Sequence, residues 1–356
     1  MSKKYVRGLS IEEAKAVSGK QKIIKLGSNE NALGPSPKAQ EAIRKAISGM
    51  HLYPGREEEL LIDKLVTKTG SRMTPEQFIT GNGSCDTLRM ITQAFMSSGK
   101  KALIGAPTFS MYEMLTTMFG GQPELIPLKN YTMDLPAIAS AVDDDVSIIF
   151  VCNPNNPTGT TVTQQQVAAF LDALPSNIPV VFDEAYGEFV DDSDFPQMLD
   201  FIDKGYPVLV TRTFSKLFGL ASLRIGYAYG NSSLMEKVRK NKLPFNSGKL
   251  AYLGAAAALD DEAFIANTLA MVRKGKDYYY HSFDAMGIHY IPTQSNFVFL
   301  TDLPKDAGLI CDEALKRGII LRPTTPFGLP DNIRITIGRE EENQRVIETL
   351  KEILAE

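Results

Sequence analysis

The segment Thr213-Phe214-Ser215-Lys216 sets a lysine among hydroxyl residues and against an apolar run, Leu217-Phe218-Gly219-Leu220, with Arg224 eight residues beyond it. Most lysines are solvated surface groups. One in an apolar neighbourhood is partly desolvated, which lowers its pKa and frees a neutral amine to attack a carbonyl carbon. Three further segments carry groups that such chemistry needs. Asn153-Pro154-Asn155-Asn156-Pro157-Thr158-Gly159 concentrates amide side chains, and Val180–Phe182 runs into Asp183-Glu184-Ala185-Tyr186. Phe78–Thr80 runs into Gly81-Asn82-Gly83-Ser84, a glycine-rich turn whose backbone N–H groups can cradle a phosphate.

Each segment has a plainer reading when taken alone, since Asn-Pro is a common turn and Asp a common helix cap. Val180-Val181-Phe182-Asp183-Glu184 resembles the metal-holding strand of a nucleotide triphosphatase, but no Gly-Lys pair in the chain is followed by Ser or Thr. Gly81-Asn82-Gly83 hints at a dinucleotide fingerprint, yet Asp86 stands where the third glycine belongs. Nor does the next strand, ending at Gly105, offer an acid for a ribose.

The elements that must position these groups read as an α/β domain. Short apolar runs at Phe78–Thr80, Ala102–Gly105, Leu125–Leu128, Ser147–Cys152, Val180–Phe182, Val208–Thr211 and Ile225–Tyr229 alternate with amphipathic stretches such as Asp86–Met96 and Gln164–Leu174. That pattern predicts a mostly parallel, seven-stranded sheet covered on both faces. Ligands of open α/β sheets bind beyond the carboxyl ends of the strands, where the four polar segments fall. After Asn246 the texture changes to that of a smaller α+β domain. A helical region over Leu250–Met286 precedes strands at Ile288–Ile291 and Phe297–Leu300, then a helix at Lys305–Lys316. A strand pair (Ile319–Leu321 with Ile333–Ile337) and a final helix at Glu340–Leu354 follow. The expected division is an N-terminal arm contributing to the small domain (1–45), a large domain (46–246) and a small C-terminal domain (247–356), with Gly34-Pro35-Ser36-Pro37 as a stiff crossing segment.

Pyridoxal phosphate needs a lysine for an imine, an acid opposite its ring nitrogen, and donors for its phosphate and its ring oxygen. Lys216, Asp183, Ser215 with Arg224, and Asn156 with Tyr186 supply that set. The chain's bulk properties agree with an ordinary enzyme. Its 356 residues suit a large domain plus a smaller one, and 44% apolar with 22% charged residues is usual for a globular protein. A net charge of −4 gives no electrostatic support to nucleic-acid or membrane binding. No apolar run approaches membrane-spanning length, and the basic start Met1-Ser2-Lys3-Lys4 is not followed by a signal-like apolar stretch, so a cytoplasmic protein is expected. Cys85, Cys152 and Cys311 read as free thiols, and His51, His281 and His289 lack metal-ligand spacing, so no metal is expected.

Asn156-Pro157-Thr158-Gly159, Asp183-x-x-Tyr186 and Ser215-Lys216 with Arg224 resemble the fold-type I, aspartate-aminotransferase-like enzymes over nearly the whole chain and in the same order. Within them, Ser28-Asn29-Glu30-Asn31, Tyr53-Pro54, Arg212-Thr213-Phe214-Ser215-Lys216, Leu223-Arg224-Ile225-Gly226, Leu321-Arg322-Pro323 and Ile333-Arg334-Ile335-Thr336-Ile337-Gly338 look like the histidinol-phosphate aminotransferase family. The resemblance implies that Lys216 carries pyridoxal phosphate and moves the substrate's proton, that Asp183 pairs with the ring nitrogen, and that Asn156 and Tyr186 hold the ring oxygen. Ser84, Cys85, Thr213, Ser215 and Arg224 would hold the phosphate. Tyr53 would reach it from a second subunit, which makes a homodimer, and Phe109 would stack on the ring. Arg334, Arg322, Tyr5, Asn31 and Asn156 would bind the substrate. The implied reaction moves the amine of L-histidinol phosphate to 2-oxoglutarate, giving glutamate, in histidine biosynthesis. Similar sequences also serve aromatic amino acids or decarboxylate threonine phosphate. A non-catalytic regulator built on this fold would carry an added DNA-binding domain, for which the chain has neither room nor charge. Two positions depart from the pattern: Cys85 where Asp is common, and Phe109 where Tyr is common.

Overall fold

Seven short apolar runs become neighbours in one sheet. The computed structural model describes residues 7–356. Its strands in chain order are β1 (Ile24–Lys25), β2 (Phe78–Gly81), β3 (Lys101–Ala106), β4 (Gln122–Pro127), β5 (Val146–Cys152), β6 (Val180–Asp183), β7 (Val208–Thr213), β8 (Gly226–Gly230), β9 (His289–Ile291), β10 (Phe297–Thr301), β11 (Ile319–Ile320), β12 (Arg322–Pro323) and β13 (Ile333–Thr336). The large sheet has seven strands, as the α/β reading expects, in the order β2-β8-β7-β6-β5-β3-β4. It is parallel except at β8, which runs antiparallel to both β2 and β7.

Every residue of β2, β6 and β8 is buried, and so is nearly all of β5, because helices cover both faces of the sheet. That is why these runs are continuous in apolar character instead of alternating. Each large side chain so buried contributes about 1.5–3 kcal/mol. β4 is one of the sheet's two edge strands, and all its residues are exposed or half-buried. It begins at Gln122, before the expected Leu125, and an edge position tolerates Pro123, which can give no ladder bond from its nitrogen.

A second, antiparallel sheet follows the order β12-β13-β10-β9. One expected pairing is corrected here. Ile319–Ile320 pairs in parallel with β1 near the start of the chain, while the adjoining Arg322–Pro323 takes the place beside β13. The chain switches partner within three residues. The predicted helical stretch over Leu250–Met286 is likewise two helices, Lys249–Ala258 and Glu262–Met286. The break falls at Asp261, whose carboxylate accepts from Ser36 Oγ at 2.6 Å and from the Lys38 backbone N–H at 3.1 Å. It thereby ties the start of helix Pro37–Ala46 to the later helices. Among the described residues no helix is long and apolar enough to cross a membrane.

Candidate active site

Because the strands are parallel, their carboxyl ends converge on one side of the sheet, and the polar segments end up as neighbours. Asp183 ends β6, Lys216 follows β7 by three residues, and Asn156 follows β5 by four. Reversed β8 brings its beginning to the same side, so Arg224 and Gly226 arrive beside the ends of β2 and β7. A cavity of about 270 Å³ results, lined among others by Ser84, Cys85, Phe109, Asn156, Asp183 and Lys216. Tyr186, Thr213, Ser215, Arg224, Arg322 and Arg334 also line it.

The Lys216 side chain is half-buried, and its Nζ donates to the Ser28 carbonyl at 3.1 Å. Burial, reinforced by the nearby Arg334 guanidinium, pulls its amine down to about 8. Below that value the amine is an ammonium with no lone pair to offer, and above it the neutral nucleophile prevails. Uptake of pyridoxal phosphate by the cofactor-free protein is therefore expected to quicken by about tenfold per pH unit up to roughly pH 8 and then level off. Stopped-flow absorbance across that range checks the profile. A rate still climbing steeply past pH 9.5 would mean an ordinary surface-like lysine.

Asp183 is 3% exposed, and burial raises its carboxyl pKa. Donors oppose that shift by favouring the ionised form, chief among them the Tyr112 hydroxyl at 2.7 Å and the Ala185 backbone N–H at 3.1 Å. Tyr112 is wholly buried and stacked on Phe150, with ring centroids 5.1 Å apart. The next residue, Glu184, takes no part in this wall. It receives Nε and Nη2 of Arg212 at 2.9 and 2.6 Å, as the alternation of side chains along a strand requires.

The phosphate cradle is built from backbone and hydroxyls. Helix Ser84–Phe95 starts at Gly83, whose φ of +80° favours glycine and which offers no side-chain cap. A β-carbon at Gly83 would lie 2.4 Å from Arg224 Nη2, and one at Gly226 would lie 2.5 Å from the Ser84 nitrogen. Only glycines let the helix start, the strand and the guanidinium come this close. Thr213 Oγ1 accepts from the Ser215 backbone N–H at 3.1 Å and donates to Ser215 Oγ at 2.9 Å. The Ser215 proton therefore remains to be given to an anion. A helix N-terminus, a hydroxyl donor and an arginine on one concave wall fit a phosphate. With the amine and buried carboxylate alongside, the donor set fits pyridoxal phosphate.

Tyr186 is buried, its ring meeting Phe297 edge-on at 5.2 Å, and burial pushes its hydroxyl up to about 12. It stays a neutral donor at ordinary pH. Asn156 is buried too, and its Oδ1 accepts from Arg334 Nη1. Arg334 also donates to the Gly27 carbonyl at 2.9 Å. Arg322 is its direct cross-strand partner on β12, so two guanidiniums share one wall, both within 6 Å of the Phe327 ring centroid.

The other sequence expectations fall elsewhere. Asn31 does not line the cavity: its Nδ2 donates to the Leu217 carbonyl at 2.8 Å, and its Oδ1 accepts from the Leu33 backbone N–H at 2.9 Å. A side chain committed to a local turn and a neighbouring loop cannot also face the cavity. Tyr53 is 80% exposed and stacks on Phe245 at 4.8 Å, away from its own chain's cavity. Tyr5 lies outside the described residues. Conversely, sequence reasoning passed over Asn29, Tyr112 and Phe327. Of the two asparagines in the Ser28-Asn29-Glu30-Asn31 motif it is Asn29, passed over in the sequence, that lines the cavity. Tyr112 gave no signal beyond an aromatic on an amphipathic helix.

A family model described as aminotransferase class I and II matches residues 21–350. A histidinol-phosphate aminotransferase of Caldicellulosiruptor saccharolyticus is 40% identical over 351 residues, covering 98% of this chain and 97% of that one. One of Moorella thermoacetica is 38% identical over 354 residues, with coverages of 99% and 91%. Among solved structures, histidinol-phosphate aminotransferase from Sinorhizobium meliloti, in complex with pyridoxal 5′-phosphate, superposes with a TM-score of 0.88 at 26% identity, over 98% of this chain and 95% of that one. With full-length likeness of this kind, and a cavity whose donors suit that cofactor, the chain belongs to the class I and II aminotransferases, within the histidinol-phosphate aminotransferase family.

Proposed function

We propose that this enzyme transfers the amine of L-histidinol phosphate to 2-oxoglutarate, yielding 3-(imidazol-4-yl)-2-oxopropyl phosphate and L-glutamate, as a cytoplasmic step of histidine biosynthesis. The observation that carries the reading is the pairing of Arg322 with Arg334 on the wall of the cavity that holds Lys216. Two adjacent guanidiniums suit a phosphate dianion as well as a carboxylate.

Bound pyridoxal phosphate supplies an aldehyde for amine exchange and a sink for the electron pair left when the substrate's Cα proton departs. The chain's own residues do the rest. Lys216, neutral above about pH 8, takes that proton and returns it at the neighbouring carbon. Asp183 holds a proton on the ring nitrogen, while Tyr186 and Asn156 donate to the ring oxygen. Ser84 and Cys85 through their backbone N–H groups, with Thr213, Ser215 and Arg224, hold the phosphate, and Phe109 covers the ring. Arg334 and Arg322 hold the substrate's anionic end.

Homodimerisation belongs to the same proposal, with the partner subunit's Tyr53 reaching the phosphate. Its support is the exposure of large apolar side chains near that residue in sequence, Ile47, Met50 and Leu52, and of Phe245, which stacks on its ring, with Leu243 two residues before it. Apolar exposure of that kind marks an association surface.

The test is an absorbance titration of the loaded protein. L-histidinol phosphate should convert the lysine-bound cofactor to its amine form, and 2-oxoglutarate should restore it. Conversion by L-phenylalanine alone would make this an aromatic aminotransferase, and release of CO₂ with no need for a keto acid would make it a lyase. Arg322→Gln separates the first two readings further. It is expected to lower kcat/KM for histidinol phosphate by roughly 10²-fold, and to affect phenylalanine, whose carboxylate can rest on Arg334, by less than about tenfold. Equal losses on both substrates would remove the phosphate role from Arg322.

A further inference from the structure

Asn29 is 1% exposed and sits at φ +55°, a left-handed conformation that asparagine adopts more readily than most residues. All four of its polar atoms are engaged. Its backbone N–H donates to Thr336 Oγ1 at 2.9 Å, and its carbonyl accepts from Asn296 Nδ2 at 3.2 Å. Its Nδ2 donates to the Tyr186 hydroxyl oxygen at 2.9 Å, and its Oδ1 accepts from Thr336 Oγ1 at 3.2 Å. These bonds determine one another. Thr336 Oγ1 accepts from the Asn29 backbone and gives its one proton to Asn29 Oδ1, so the amide turns its oxygen toward Thr336. The NH₂ end then faces Tyr186. An NH₂ group can only donate, so the Tyr186 oxygen is the acceptor in that contact and its own proton points elsewhere.

We infer that Asn29 is a positioning residue that directs the Tyr186 proton into the Lys216 cavity, and so sets how firmly the bound cofactor's ring oxygen is held as an anion. The inference rests on the reading that pyridoxal phosphate occupies that cavity. It also gives the amide a second connection. Thr336 lies two residues beyond Arg334 on β13, so one side chain joins the substrate-holding strand to the hydroxyl that serves the cofactor. The other groups facing Tyr186 are Arg334 from β13, Asp183 from the end of β6 and Cys152 from the end of β5. Lys216, following β7, completes the set, with its Nζ 5.8 Å from the Tyr186 ring centroid.

The experiment reads the pH midpoint of the visible absorbance of the pyridoxal-phosphate-loaded protein with no substrate present. Asn29→Ala removes the NH₂ donor and lets the Tyr186 proton swing away. A ring oxygen with a weaker donor binds protons more tightly, so the midpoint should rise by about half a unit or more. Asn29→Asp keeps the shape and the left-handed preference but can only accept. It captures the Tyr186 proton, and the rise should be larger, about one unit, or tenfold in proton affinity. Thr336→Val, which removes the proton that orients the amide, should move the midpoint in the same direction and stands in should either Asn29 variant fold poorly.

In a Tyr186→Phe background, Asn29→Ala should add no further shift, because the two residues act through one bond. Midpoints unchanged within about 0.2 unit in all three single variants, or an undiminished Asn29→Ala shift in the Tyr186→Phe background, would overturn the inference. A wild-type protein showing no absorbance band that depends on Lys216 would instead overturn the occupancy reading, and this inference with it.

Discussion

Lys216→Ala is expected to lower turnover by at least about 10⁴-fold while leaving the fold intact. Two functions are lost together: the covalent handle that presents the cofactor and the base that moves the substrate's proton. General acid–base catalysis alone is worth about 10²–10⁴. Stability should not suffer, because the amine that is removed is half-buried and its charged form is disfavoured where it lies, as its lowered pKa of about 8 shows. Lys216→Arg should be no better, since a guanidinium stays protonated and cannot serve as nucleophile or base. Turnover measured beside cofactor absorbance checks both. Activity of either variant within tenfold of wild type would remove Lys216 from the chemistry.

Asp183→Asn should cost about 10²–10³-fold in turnover, the scale of leaving a buried charge without its partner. The carboxylate can hold a proton on a ring nitrogen, whereas an amide of the same size cannot. Stability should respond with the opposite sign in the cofactor-free protein. Burial raises the Asp183 pKa above its unfolded value, so at neutral pH the ionised carboxylate is a burden on the fold; that burden eases as pH falls and the group protonates. The amide removes the burden but disturbs the Tyr112 and Ala185 bonds, each worth about 1 kcal/mol. The cofactor-free variant should therefore melt at or slightly above wild type, and the loaded variant below loaded wild type. Thermal unfolding of all four forms reads this directly. A variant that melts well below wild type in both forms would make Asp183 a structural residue.

Much of this was legible in the sequence for a physical reason. Strands buried on both faces, such as Val180–Asp183 and Gly226–Gly230, need unbroken apolar runs, and these are visible without a structure. Polar residues at the ends of such runs have little to do in packing, so Asp183, Asn156 and Lys216 stood out together. The Gly81-Asn82-Gly83 turn was equally plain, because close backbone approach demands glycine.

What stayed hidden depends on contacts between distant segments. Asn29 meets Tyr186 across 157 positions and Thr336 across 307, and nothing in Ser28-Asn29-Glu30-Asn31 says which asparagine faces inward. The backbone decides it: the left-handed turn at Asn29 sends Asn31 toward Leu217. The partner switch between Ile320 and Arg322 was illegible for a similar reason, since two-residue strands carry too little pattern to specify a neighbour.

The parallel pairing of β1 with β11 has a practical corollary for anyone trimming the chain. Residues 24–25 lie near the start of the sequence, yet they form a strand with residues 319–320, and Leu26 continues the contact by donating to the Ile320 carbonyl at 2.9 Å and accepting from the Thr336 N–H at 2.8 Å. The segment around residues 24–26 thus packs as a partner of residues far toward the other end of the sequence. A shortened clone starting after residue 30 would not lose an appendage. It would remove one of the two strands of the β1–β11 sheet, and the damage would surface hundreds of positions away from the cut.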